Sequence, residues 1–163
     1  MTQCAMPVAC GFALLAFACV GQPISTSYDY NPNANFATLR TYAWMPIRFD
    51  QLTTFELERV TNAVEAGLQE KGFQRAGNAD FLLKVLAGKG LTLSSGYGWS
   101  GMENRRFEEG TLIIDMVDPL SNRLLWRGTA TKALDANPTP EQQTENIARA
   151  VRAVLANFPP QKR

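Results

Sequence analysis

The sequence predicts an α+β domain in which two helices pack on one face of a mostly antiparallel sheet of four or five strands. Three observations predict it. Residues 110–133 read GTLIIDMVD, a polar turn, and NRLLWRGTATKA, two runs alternating with period two that make a β-hairpin. Two other segments carry apolar residues at helical spacing, and each opens with a capping box. The chain of 163 residues is 45% apolar and 19% charged, the profile of one ordinary globular domain.

Taken in order, the chain begins with nineteen residues that contain no charged side chain. From Ala5 to Val20 it is nearly all small or apolar, too short to span a bilayer as a permanent helix but the length of a secretory apolar region. Ala16-Phe17-Ala18 has the small-x-small pattern a signal peptidase needs, which places a signal peptide at residues 1–18 and leaves Cys19 first. LLAFAC resembles the lipobox of bacterial lipoproteins, in which the cysteine thiol receives a diacylglyceryl group before cleavage; Ala16 stands where Leu is usual. Ordinary cleavage into a soluble secreted protein and an uncleaved anchor are the alternatives. Residues 19–26, with Gly21, Pro23, Ser25 and Thr26, read as a tether into a single domain over residues 27–160.

In that domain Ser27–Tyr30 alternates as a strand, NPNAN turns the chain, and Phe36 and Leu39 are expected as core plugs. Thr41–Met45 is a second short strand ended by Pro46. Thr53 and Glu56 form a capping box for a helix over residues 53–71, with Leu57, Val60, Val64 and Leu68 as its apolar stripe. Gly72 in a left-handed conformation would end it in a Schellman stop, bringing Leu68 and Phe73 together. Residues 78–89 read as a strand internal to the sheet, since both alternate faces are largely apolar. The pattern then breaks from Gly88 to Gly110, where six glycines interleave with Tyr97, Trp99 and Phe107, and a mobile loop is expected.

In the hairpin that follows, pairing Met116 with Leu124, Ile114 with Trp126 and Leu112 with Gly128 gathers Leu112, Ile114, Met116, Leu124 and Trp126 on a core face. Asp115 lies on the other face within reach of Arg123 and Arg127. Residues 118–122, DPLSN, form the turn, with Asn122 suited to a left-handed conformation. Thr139, Pro140 and Gln142 open a last helix over residues 140–157, whose buried side is Ile147, Val151, Val154, Leu155 and Phe158.

The chemistry available is narrow. There is no histidine, which excludes Ser-His-Asp and Cys-His catalysis and His-ligated zinc. A net charge of +1 with no basic run gives no footprint for nucleic acid. Cys4, Cys10 and Cys19 all lie in the first nineteen residues, so a mature chain keeps at most one of them and can form no internal disulfide. Asp and Glu never recur at calcium-loop spacing, and neither a metal nor another cofactor is expected. Carboxylates are the acid-base groups that remain, and Asp115 with Asp118, or Glu108 with Glu109, are the candidate pairs for a hydrolase. A cross-strand arginine and a turn explain the first pair, and adjacent residues of an extended segment point apart in the second. Tyr97 and Trp99 are different: glycines on either side leave them without local cover, so they either fold back into the core or contact a protein, glycan or lipid headgroup.

SYDYNPNANFATLRTYAWMP, EGTLIIDMVDPLSNRLLWRGTA and VRAVLANFPP resemble, in order and over nearly all of the mature chain, the lipoproteins of the DUF4136 family, a domain of unknown function. The resemblance implies a bacterial envelope lipoprotein with no established activity. Only Cys19, as the lipidated residue, transfers by position. The function expected is therefore a non-catalytic binding or structural module, lipid-anchored at the outer membrane and facing the periplasm, with Tyr97 and Trp99 as candidate contacts for an envelope protein or glycan. A carboxylate-dependent hydrolase is the alternative.

Overall fold

The computed structural model describes residues 23–45, 52–98 and 101–160, with the backbone alone for 91–98 and 101–108. The signal peptide, Cys19, the first part of the tether and Trp99 lie outside the described residues. The element order is β1 (Ser25–Tyr30), a 3-10 turn (Phe36–Thr38), β2 (Thr41–Trp44), α1 (Thr54–Glu70), β3 (Gln74–Arg75), β4 (Phe81–Gly98), β5 (Gly101–Val117), β6 (Leu124–Ala133) and α2 (Pro140–Leu155). The last two residues assigned to the tether, Ser25 and Thr26, therefore already belong to the sheet.

One six-stranded sheet runs in the order β1-β6-β5-β4-β2-β3. The β1–β6, β6–β5 and β5–β4 pairs are antiparallel, while β2 lies parallel to both β4 and β3. The extra strand follows from the stop of α1. Gly72 takes φ 86°, which only glycine adopts freely. Its N–H then reaches the Gln69 carbonyl at 2.9 Å and the Phe73 N–H reaches Leu68 at 3.0 Å, the paired bonds of a Schellman stop. The chain leaves that stop alongside β2, where Gln74 and Arg75 pair with Thr41 and Tyr42. Asp80 ties the parallel β2–β4 junction, accepting from the Arg40 N–H at 2.8 Å and the Thr41 N–H at 2.9 Å. Those amide bonds, Arg40 first, hold its carboxyl below the usual aspartate range.

Both capping boxes form as expected, Thr53 with Glu56 and Thr139 with Gln142. The two helices bring Val60, Val64 and Leu68 and Val151, Val154 and Leu155 onto the sheet side that carries Phe81, Leu83, Val85, Leu112, Ile114, Met116 and Trp126. Phe158, just past α2, joins this core with its ring 5.3 Å from Phe73 and Trp126 and 6.1 Å from Phe36. Gly128 allows the close fit: a Cβ there would run into the Trp126 ring and come within 2.5 Å of Val154 Cγ1.

The hairpin register differs from the expected one. Met116 pairs with Trp126, Ile114 with Gly128 and Leu112 with Ala130. The turn closes one residue later than expected, through Asp118 N–H to Arg123 O, and a bulge after Val117–Leu124 adds a second residue of shift. Two steps preserve the parity of the alternation, so Leu112, Ile114, Met116 and Trp126 stay on the core face. Leu124 precedes the bulge and is left 40% exposed. Asn122 takes φ 54° as expected, and Asp118 accepts from Ser121 N–H at 2.6 Å and Ser121 Oγ at 2.8 Å, which holds its carboxyl below its ordinary value.

A larger correction concerns residues 88–110, expected as an irregular loop. Instead β4 and β5 continue as one antiparallel ribbon, from Gly88–Thr111 through Tyr97–Met102 to Gly98–Gly101. Glycine weakens a strand by entropy, by about 1 kcal/mol at most per residue. It does not forbid one, and Leu91-Thr92-Leu93 keeps the alternation going on the β4 side of the paired segment.

Candidate functional site

Along the inward face of the sheet the side chains shrink towards one end. Phe81, Leu83 and Val85 of β4 are followed by Ala87, and Trp126 of β6 by Gly128 and Ala130. Register places Ala87, Leu112 and Ala130 in one row and Lys89, Gly110 and Lys132 in the next. Helices α1 and α2 cross this end near their first turns. A cavity of about 270 Å³ results, walled by Val60, Ala87, Leu112, Leu134, Ile147 and Ala150 among others.

Its polar groups are few. Lys132 continues the buried phase of β6 and is only 8% exposed. Its Nζ donates to Asn146 Oδ1 at 2.8 Å and to Asp135 Oδ2 at 3.4 Å. Across Gly110, Lys89 donates to Glu56 Oε1 at 2.9 Å, while Glu56 Oε2 accepts from the Thr53 N–H and hydroxyl. The bond from Lys89, with help from Thr53, lowers the Glu56 pKa against the opposing effect of its partial burial. Sequence reading singled out none of these residues as a site. The signal was present: Lys132 occupies an inward position two residues after Ala130, where alternation calls for an apolar side chain.

The residues proposed from sequence are not brought together with the cleft. Tyr97 is paired with Met102 near the far end of the ribbon rather than placed on a loop, and Trp99 lies outside the described residues. Beyond Glu109–Ala133, the last pair with β6, β4 and β5 have no other strand partner among the described residues. The eight pairs from Leu91–Glu108 to Gly98–Gly101 thus form a two-stranded arm, about 25 Å long at the usual rise per residue.

Of the carboxylates considered for hydrolysis, Asp115 and Asp118 have structural partners. Asp115, 3% exposed, faces Arg127 directly and receives its Nε at 2.6 Å and its Nη2 at 2.7 Å. The Asp115 hydrogen bonds raise the Arg127 pKa above its already high value. Arg123 does not share this pair. Asp118 serves the turn, and Glu108 and Glu109 occupy successive positions of β5 opposite Leu91 and Gly90. Among the described residues no group of three or more Asp, Glu, Cys or His gathers to hold a metal, and no helix is long and apolar enough to cross a membrane.

Two solved structures share the fold. A PDZ domain protein from Parabacteroides distasonis superposes with a TM-score of 0.60 at 17% identity, over 87% of this chain and 36% of that one. This chain therefore spans about a third of that protein's length. The PelC dodecamer from Paraburkholderia phytofirmans superposes with a TM-score of 0.54 at 12% identity, over 86% of this chain and 100% of that one. At such identities the likeness is one of fold. No curated protein matches the sequence closely. The model of the family described as "Domain of unknown function (DUF4136)" matches residues 26–160, from the second residue of β1 to beyond α2, and the chain belongs to that family.

Proposed function

We propose that this protein is a non-catalytic binding or structural module of the bacterial cell envelope, attached by lipid at Cys19 to the outer membrane and facing the periplasm. It meets an envelope protein or glycan with the arm built from β4 and β5. The arm is the observation that carries this proposal. Eight strand pairs continue past the last contact with β6, and both backbone edges remain without strand partners among the described residues. Open edges are hazardous in a free protein and serve partners that add a strand or lie along the ribbon. By analogy of fold alone, PelC, solved as a dodecamer, favours a part in an assembly over catalysis. The commitment of Asp115 and Asp118 to Arg127 and the turn points the same way.

Gly90 and Glu109 are paired, so residues 91–108 can be replaced by a two-residue Asn-Gly turn without altering the body of the hairpin. The shortened protein should fold with an unchanged thermal transition and lose the crosslinks that the wild type forms in its own envelope. Retention of the same crosslinks would refute the arm as the contact element. Cys19→Ser should move the protein from the membrane to the soluble fraction, because the lost acyl chains supply the hydrophobic attachment. An unmodified amino-terminal mass for the wild-type mature protein would remove the anchor from this proposal.

A further inference from the structure

The cleft beneath the first turns of the two helices carries a chemistry that the arm does not use. Burying a lysine costs several kcal/mol unless its charge and its donors are matched. Lys132 is matched only in part. Two of its ammonium contacts are to Asn146, which is neutral, and to Asp135 at 3.4 Å, whose side chain is 48% exposed. A third N–H remains for an acceptor within the cleft. Lys89 stands in the same row across Gly110, roughly 10 Å away at the spacing of strands. The carboxylates nearby are already engaged, Glu56 by Lys89 and its own helix cap, Asp135 by Lys132 and by Asn146 Nδ2 at 3.2 Å. Helices α1 and α2 both present their starts to this end of the cleft, and helix starts favour negative charge. The remaining wall, Val60, Ala87, Leu112, Leu134, Ile147 and Ala150, is apolar.

We infer that this cleft binds a small amphipathic carboxylate, an alkyl chain lying against the apolar wall with its carboxylate on Lys132. The volume of about 270 Å³ lies just below the usual range for drug-sized ligands, which limits the ligand to a short or medium chain. Lys132 supplies a charge-assisted hydrogen bond inside a largely apolar surrounding, where such a bond is stronger than in water.

Equilibrium dialysis of radiolabelled octanoate against the full chain, with 1-octanol as the uncharged comparator, tests this. Octanoate should bind saturably at one site and about tenfold more tightly than octanol, as expected for one charge-assisted bond. Lys132→Met should abolish that preference while leaving octanol binding unchanged. Ile147→Trp, which fills the cleft, should abolish both. The wild-type preference decides the headgroup even if Lys132→Met fails to fold. Equal binding of the two ligands, absence of saturable binding, or octanoate binding that survives in folded Ile147→Trp would each overturn the inference.

Discussion

The two halves of the β4–β5 hairpin share one register, yet they are different objects. From Leu82–Val117 to Gly90–Glu109 the pair is flanked by β2 or β6 over most of its length and covered on one face by helices. From Leu91–Glu108 outward, β4 and β5 are each other's only strand partners among the described residues. Backbone pairing alone does not distinguish a core from an arm. What separates them is the third element: Trp126, Phe158 and the helix faces lie over the inner half. A two-stranded ribbon without such cover is marginal in water.

The contrast is broken most severely from within the body. Trp126 is fully buried, and its indole N–H finds no partner among the described residues, so truncation removes packing and leaves its hydrogen bonding unchanged. Trp126→Ala should cost about 3–5 kcal/mol in denaturant unfolding, the range for deleting a buried large aromatic. On the opposite face Arg127→Ala strips two charged hydrogen bonds from buried Asp115. Because Arg127 is 45% exposed, solvent screening reduces the loss to about 2 kcal/mol, still more than an ordinary surface pair. A larger loss at Arg127 than at Trp126 would mean that the sheet faces are reversed.

Acid should also act on the body. Asp80, Asp118 and Glu56 have folded pKa values below their ordinary ones, through amide bonds at Arg40 and Ser121 and through Lys89. A depressed folded pKa contributes stability above the unfolded value, about 4, and that stability is lost as pH falls through the folded values. Unfolding followed from pH 7 to pH 2 should therefore show falling stability only in the acid range. Asp80→Asn should flatten that fall, and an unchanged profile would remove Asp80 from the account. The smallest effect belongs to the arm: Tyr97→Ala with Trp99→Ala should change stability by less than about 1 kcal/mol, the size expected away from a packed core. A loss of several kcal/mol would place these aromatics in a core.

Much of the body was legible because local and tertiary preferences agree there. Thr53 with Glu56, Thr139 with Gln142 and Gly72 mark the helix ends by local hydrogen bonding, and the apolar stripes identify the faces that reach the sheet. The hairpin face was legible without its register, since alternation constrains parity and a shift of two residues conserves it. The bulge at Val117 was hidden because it depends on how the turn closes. Strand β3 was hidden because two residues carry no periodicity, and its place depends on the exit of α1. The arm was missed because glycine content was weighed above the short alternation at Leu91-Thr92-Leu93, and the β5 half, residues 102–109, carries no period-two pattern to reveal it. The cleft was missed for a different reason: small residues at Ala87, Gly110 and Ala130 look unremarkable along the chain and make a cavity only when the register aligns them.

Hydrogen exchange along β4 and β5 tests the distinction between body and arm most directly. Amides paired from 82 to 87 and from 111 to 116 should exchange only on global unfolding, with free energies equal to that of the whole domain. Those paired from 92 to 97 and from 102 to 107 should exchange through local opening at a much lower free energy, and addition of the envelope partner should raise it. Uniform protection along both strands in the isolated protein would contradict the account, because the outer half would then be as firmly held as the core.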